Sequence, residues 1–286
     1  MTLPAGLRNP TLAAVEERGS ASVELLNETW SAIATLCADL DERGFLTSTD
    51  CPGWIVKDVL SHILGTERSL RGEPAPEAEV GGDHIRNHLG RFNERWVASR
   101  RSLPGSAVLA EFLMVTAEQT QARRCLTREE LAAPTPTPFG EMPMETWVDT
   151  RLFDCFSHEQ DIRRALGRPG GLAGAAADRA VQRGAVRLPR TVGRALRGSP
   201  DGTRIEVVID DDPGCRWLVE VHSGRGELAD GAAGRADATL SVDRETFLCL
   251  TWGRWTAKRA EASGRLALTG DAGLARLAAS NLTITP

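Results

Sequence analysis

Arg151, Asp154, His158 and Asp161 stand at steps of three, four and three in the stretch RLFDCFSHEQDIRRAL, Arg151–Leu166. On a helix that turns every 3.6 residues these four share one face. An Asp and a His at i and i+4 can offer a carboxylate oxygen and an imidazole nitrogen to one metal ion, as HExxH helices offer two imidazoles to zinc. Two ligands do not make a site, and His62 is the best candidate for the third. It falls in the middle of a second amphipathic pattern, on the side of Val59 and Ile63. Two histidines and a carboxylate would leave one coordination position for water or substrate. The plainer alternatives stay open on spacing alone. A histidine on an apolar helix face is more often a hydrogen-bonded core residue, and an Asp–His pair at i,i+4 is more often a surface pair contributing about 0.3 kcal/mol.

Other titratable residues are secondary. Asp58 repeats the Asp-x-x-x-His spacing with His62, and early in its helix it can serve the helix N-terminus or orient His62. Asp161 can hold His158 in the same way and fix its tautomer. His84 and His88 form an HxxxH pair on a predicted helix, but among Arg86, Asn87, Arg91 and Asn93 they read as a solvated face. His222 sits by a predicted hairpin turn. No GxSxG, P-loop or dinucleotide fingerprint occurs, and Asp230–Gly234 (DGAAG) reads as a turn.

The elements that must position these residues follow from periodicity. Residues 1–19 read as a loose arm. Val23, Leu26, Trp30, Ile33, Cys37 and Leu40 recur at three and four, which predicts a helix over 20–43, ended near Gly44. Further helices are expected at 54–70, 83–102 and 106–124. The proline-rich stretch 133–140 cannot be helical, and 141–166 is the last long helix of the first half, stopped by Gly167 and Pro169. An Ala/Arg-rich connecting segment, 171–202, comes next, with one or two helices expected over 172–198. From Thr203 the period becomes two, with strands around Ile205–Ile209, Trp217–Val221, Ala238–Val242 and Leu266–Thr269, and helices at 244–254 and 272–282. The expected architecture is an antiparallel four-helix bundle over 20–170, then a small α+β domain over 203–286 with a mostly antiparallel sheet.

Composition narrows the class. The 286 residues fit two ordinary domains, 41% hydrophobic and 26% charged. With a net charge of -5 and no basic run longer than a pair such as Arg123-Arg124 or Arg163-Arg164, nucleic acid is disfavoured as a partner. No apolar run approaches a membrane span, and MTLPAGLRNP lacks a signal pattern, so a cytoplasmic protein without a membrane partner is expected. The six cysteines are irregularly spaced and read as small buried hydrophobes in a reducing compartment.

CPGWIVKDVLSH (Cys51–His62), RLFDCFSHEQDIRRALGRP (Arg151–Pro169), LTWGR (Leu250–Arg254) and ITP (Ile284–Pro286) together resemble the mycothiol-dependent maleylpyruvate isomerase family. The resemblance implies a metal-binding DinB-like four-helix bundle followed by a sterol-carrier-like α/β domain. It implies a divalent metal, zinc in most of the family, held by His62, Asp154 and His158, with mycothiol as thiol cosubstrate. The chain departs from that pattern at Asp154, where the family commonly has Glu. The implied chemistry is attack by the mycothiol thiolate on a small-molecule electrophile, as an isomerase or an S-transferase, in a monomer or homodimer. An anionic substrate would need a cation. Arg151 is the first candidate, with a salt bridge to Asp154 as the even alternative, and Arg254 the second, with a helix-end role as its alternative. Asp161 would hold His158. The competing readings are a non-catalytic metal-containing binding or regulatory module, and a hydrolase with a water nucleophile on the same ligands.

Overall fold

The computed structural model describes residues 12–212, 214–229 and 235–285, with side chains from residue 21. They divide into two compact units that meet in sequence between Ala176 and Ala177. Residues 1–11 of the expected arm, the expected turn at Asp230–Gly234 and Pro286 lie outside the described residues.

The first unit is helical. Helix α1 (Leu12–Cys37) starts earlier and ends earlier than its periodicity suggested. The chain breaks after it because Asp41 caps a separate short turn, α2 (Glu42–Phe45), by accepting from the Gly44 N–H at 2.8 Å. Then come α3 (Val56–Leu70), α4 (His88–Ala98), α5 (Gly105–Arg124) and the short α6 (Arg128–Ala132). Strands β1 (Pro134–Thr137) and β2 (Gly140–Pro143) form an antiparallel ribbon, and α7 (Met144–Ala165) follows. The start of the expected 141–166 helix is therefore strand. Three prolines are tolerated there because a two-stranded ribbon leaves each strand an unpaired edge. The expected 83–102 helix shrinks to α4, so His84 precedes it and only His88 is helical.

Helices α1, α3, α5 and α7 make the four-helix bundle. α1 lies against α7 and α5, and α3 lies against α5, α4 and α7. Leu26, Trp30, Ile33, Leu60, Ile63, Phe112 and Leu152 form its apolar core.

The second unit opens with the Arg-rich segment expected to connect the domains. It folds as one helix, α8 (Ala175–Ala195), whose Asp178 accepts from Arg244 at 2.6 Å. Strands β3 (Arg204–Ile209), β4 (Arg216–His222), β5 (Arg225–Ala229) and β6 (Ala238–Val242) are followed by α9 (Arg244–Thr251), α10 (Ala257–Ala262), β7 (Leu266–Gly270) and α11 (Ala272–Ala279). The sheet order is β5-β4-β3-β6-β7, antiparallel except for the parallel pair β3 and β6. In β3 the alternation is complete. Ile205, Val207 and Ile209 are buried and Val208 points to the other face.

Candidate metal centre

The centre lies between α3 and α7. The Cys51–Trp54 turn is closed by the Trp54 N–H donating to the Cys51 carbonyl at 3.1 Å, and Ser48 and Ile55 bridge across it. Asp58 then caps α3 by accepting from the Ile55 N–H at 3.3 Å. Asp58 thus serves the helix start; it does not orient His62, whose buried Nδ1 has no hydrogen-bond partner. With α3 fixed at this point, His62 faces α7.

On α7 the 3.6-residue repeat puts Arg151, Asp154, His158 and Asp161 on one inward side, as the spacing required. His62 Nε2 lies 3.3 Å from Asp154 Oδ2, and His158 Nε2 lies 3.6 Å from Asp154 Oδ1. One donor atom from each of the three residues falls within 4.8 Å of the other two. Tetrahedral zinc with bonds of about 2.1 Å separates neighbouring ligands by about 3.4 Å, so this donor set fits a metal in both type and spacing. The two imidazoles are almost wholly buried, whereas the Asp154 side chain is 33% exposed. The centre therefore opens towards the outside at Asp154.

The protonation states suit ligation. Burial pushes the His62 imidazole down to about 4, against the opposing pull of Asp154, so it is neutral at neutral pH. Burial alone would raise the Asp154 carboxyl, but Arg151 and His62 hold it well below the usual carboxylate range. A metal needs a neutral imidazole and an ionised carboxylate.

The remaining stripe residues support these ligands. Asp161 Oδ2 lies 3.1 Å from His158 Nδ1, leaving Nε2 for the centre. Arg164 spans Asp161 and Asp50, donating to each at 2.7 Å. Arg151 is buried. Its Nη1 donates to Asp154, its Nε donates to Glu67 at 2.9 Å and its Nη2 donates to Cys155 Sγ at 3.4 Å. The salt bridge with Asp154 is the alternative the structure forms, which leaves this guanidinium unavailable as an open anion contact. Glu67 in turn pairs with the buried Arg123. Cys155 is a spectator: burial pushes its thiol up to about 12. Arg254 belongs to the second unit, where it donates to the Trp252 carbonyl at 3.1 Å beside the end of α9.

Residues 26–163 match the family model for the mycothiol maleylpyruvate isomerase N-terminal domain, and residues 191–282 match the SCP-2 sterol transfer family. The helical unit belongs to the mycothiol maleylpyruvate isomerase N-terminal domain family. Among solved structures, the mycothiol-dependent maleylpyruvate isomerase aligns over 89% of this chain and 92% of its own, with a TM-score of 0.56 and 15% sequence identity. That likeness carries the two-part fold: a helical bundle followed by an α/β part with a mostly antiparallel sheet. The C-terminal unit is similar to sterol carrier protein 2 of Homo sapiens, 32% identical over 81 residues, and to that of Oryctolagus cuniculus, 31% identical. The chain spans about 15% of the length of those two relatives.

Several residues of the centre escaped the sequence. Glu67 belongs to no motif and Arg123 stands out only as half of a basic pair. Cys51 looked like a filler, yet its sulfur is within 4.8 Å of donors on His158 and Asp161. Trp54 packs on both histidines, with ring centroids 5.0 Å from His62 and 5.8 Å from His158. Its place in CPGW, directly before the His62 helix, was the available signal.

Proposed function

We propose that this chain is a mycothiol-dependent metalloenzyme whose helical unit holds a divalent metal, zinc by its donor set, on His62, Asp154 and His158. The observation that supports this most is the convergence of two buried imidazoles and a carboxylate, from two helices, within 4.8 Å. A divalent metal there would favour the thiolate form of a bound thiol, which is otherwise mostly protonated near neutral pH. The chain's own residues do the rest. Asp161 fixes the His158 tautomer, and Arg151, itself held by Glu67, fixes and neutralises Asp154. The ionised Asp154 and neutral His62 need shed no proton before ligating. The exposed side at Asp154 is where a thiol and a small electrophile would enter.

With a maleylpyruvate-type substrate the thiolate would add to the conjugated double bond, the resulting single bond would rotate, and the thiolate would leave. With another electrophile the thioether would persist. A second reading, a non-catalytic metal-containing binding module, is favoured by one observation: Arg151 already pairs the Asp154 carboxylate, which is a methylene shorter than Glu. The test is zinc-loaded protein with mycothiol and either maleylpyruvate or a model electrophile. Substrate isomerised with thiol unchanged supports the isomerase, and conjugate formation supports the S-transferase. No turnover by a protein that binds metal and mycothiol would favour the binding module.

A further inference from the structure

Glu94 on α4 is a carboxylate with no exposed surface, and none of the chemistry above uses it. Burying a carboxylate is costly unless it is paired, so its partners show what it holds. Its Oε2 accepts from the Trp54 indole N–H at 3.0 Å and lies 3.2 Å from His84 Nε2, while Oε1 lies 2.7 Å from Arg101 Nη2. Trp54, 40 residues away in sequence, thus meets His84 and Arg101 on one side chain. The indole so held is the ring that packs against both His62 and His158. His62 has no hydrogen-bond partner at Nδ1, whereas His158 has Asp161, so the packed Trp54 ring is the neighbour that can orient it.

The backbone is shaped for this clasp. Gly53 and Gly82, with φ of 79° and 127°, press on the His84 ring from the Trp54 turn and from the loop before α4. A Cβ at either would come within 2.7 Å of that ring, so a larger residue would push the ring out of place. Positive φ gives the same restriction. The His84 segment, expected as a solvated helix face, is latched onto the wall of the centre.

We propose that Glu94 is a positioning residue: it pins Trp54 against the two imidazoles and so fixes the orientation of His62, with His84 and Arg101 holding the carboxylate in place. The proposal rests on the metal reading only for its affinity readout. The side-chain geometry it asserts is testable in the metal-free protein.

The experiment combines zinc affinity by chelator competition with imidazole NMR, which five histidines make tractable. It uses wild type, Glu94→Leu, Glu94→Gln, Trp54→Phe and the Trp54→Phe/Glu94→Leu double variant of the full chain. In metal-free protein, Glu94→Leu should shift the His62 and His158 ring signals, through the lost indole ring current, and leave His222 unmoved. Zinc affinity should fall about tenfold, the low end for an outer-shell partner. Glu94→Gln keeps an acceptor for the indole and should restore most of that loss. In the Trp54→Phe background, Glu94→Leu should cost little more, because both act on one ring. Unmoved His62 and His158 signals, or additive losses in the double variant, would overturn the proposal. Should Glu94→Leu fail to fold, Trp54→Phe and Glu94→Gln decide it: the first must shift both imidazoles and the second must not. Wild-type protein that binds no zinc but shows these shifts would sink the metal reading and leave the positioning role intact.

Discussion

The interiors of the two units are built differently. In the helical unit Glu67, Arg123, Arg151, Asp161, His62, His158 and Glu94 are all buried. In the second unit the buried polar side chains among the described residues are Thr191, Thr203, Thr246 and Thr251, and the rest of its core is apolar. Its charges sit half-exposed, as where Arg265 pairs with Asp243 and Glu245. A bundle of this size does not need buried charge to be stable, and well-packed apolar residues often do as well or better. The helical unit therefore carries its polar interior for what those groups hold, and what they hold is the His62–Asp154–His158 set.

The largest effect should come from Glu67→Ala. It strands Arg123 in a dry interior and leaves Arg151 with Asp154 as its remaining counter-charge. A broken buried pair costs about 3–5 kcal/mol, read as a lowered midpoint in denaturant melts. A loss below about 1 kcal/mol would mean that water reaches this cluster and that the contrast between the units is overstated.

Acid should separate the two units next. Burial alone would raise the Glu67 carboxyl, but Arg123 and Arg151 hold it below its ordinary value. As pH falls, the unfolded chain takes up this proton first, near its ordinary pKa of about 4.3. The stability the ion pairs supply is complete above that pH and is lost as pH falls through the lower, folded value. Acid titration followed by amide exchange should show α3, α5 and α7 opening before the sheet of the second unit. The reverse order would contradict the account.

The smallest effect should come from Asp154→Glu. The extra methylene reaches further from α7, so zinc affinity should be kept or raised, with little change in stability. Loss of zinc binding in this variant would mean that Asp154 is not a ligand.

The same contrast explains what the sequence revealed. Amphipathic period displayed the Arg151–Asp161 stripe and put His62 on the buried side of α3, because helical faces are set by local geometry. Alternation, broken only at Val208 in β3 and at Leu218 in β4, displayed these two strands in the same way. Strand β5 stayed hidden: RGELA has no β-branched residue and lies at a sheet edge. The β1–β2 ribbon stayed hidden because prolines read as loop. Glu67, Arg123, Glu94 and His84 stayed hidden for another reason. A charged residue reads as solvated until the partner that permits its burial is known, and each partner here comes from another element. Helix α8, expected as a connector, is placed by packing that local sequence does not encode.

The central claim is that α3 and α7 together make one metal site. Zinc titration of metal-free protein, with His62→Ala and His158→Ala alongside, tests it most directly. The account predicts one equivalent of zinc bound tightly by the wild type, and binding lost or greatly weakened in each variant, although one histidine lies on each helix. Wild-type protein that takes up no stoichiometric metal, or variants that bind it as the wild type does, would contradict it.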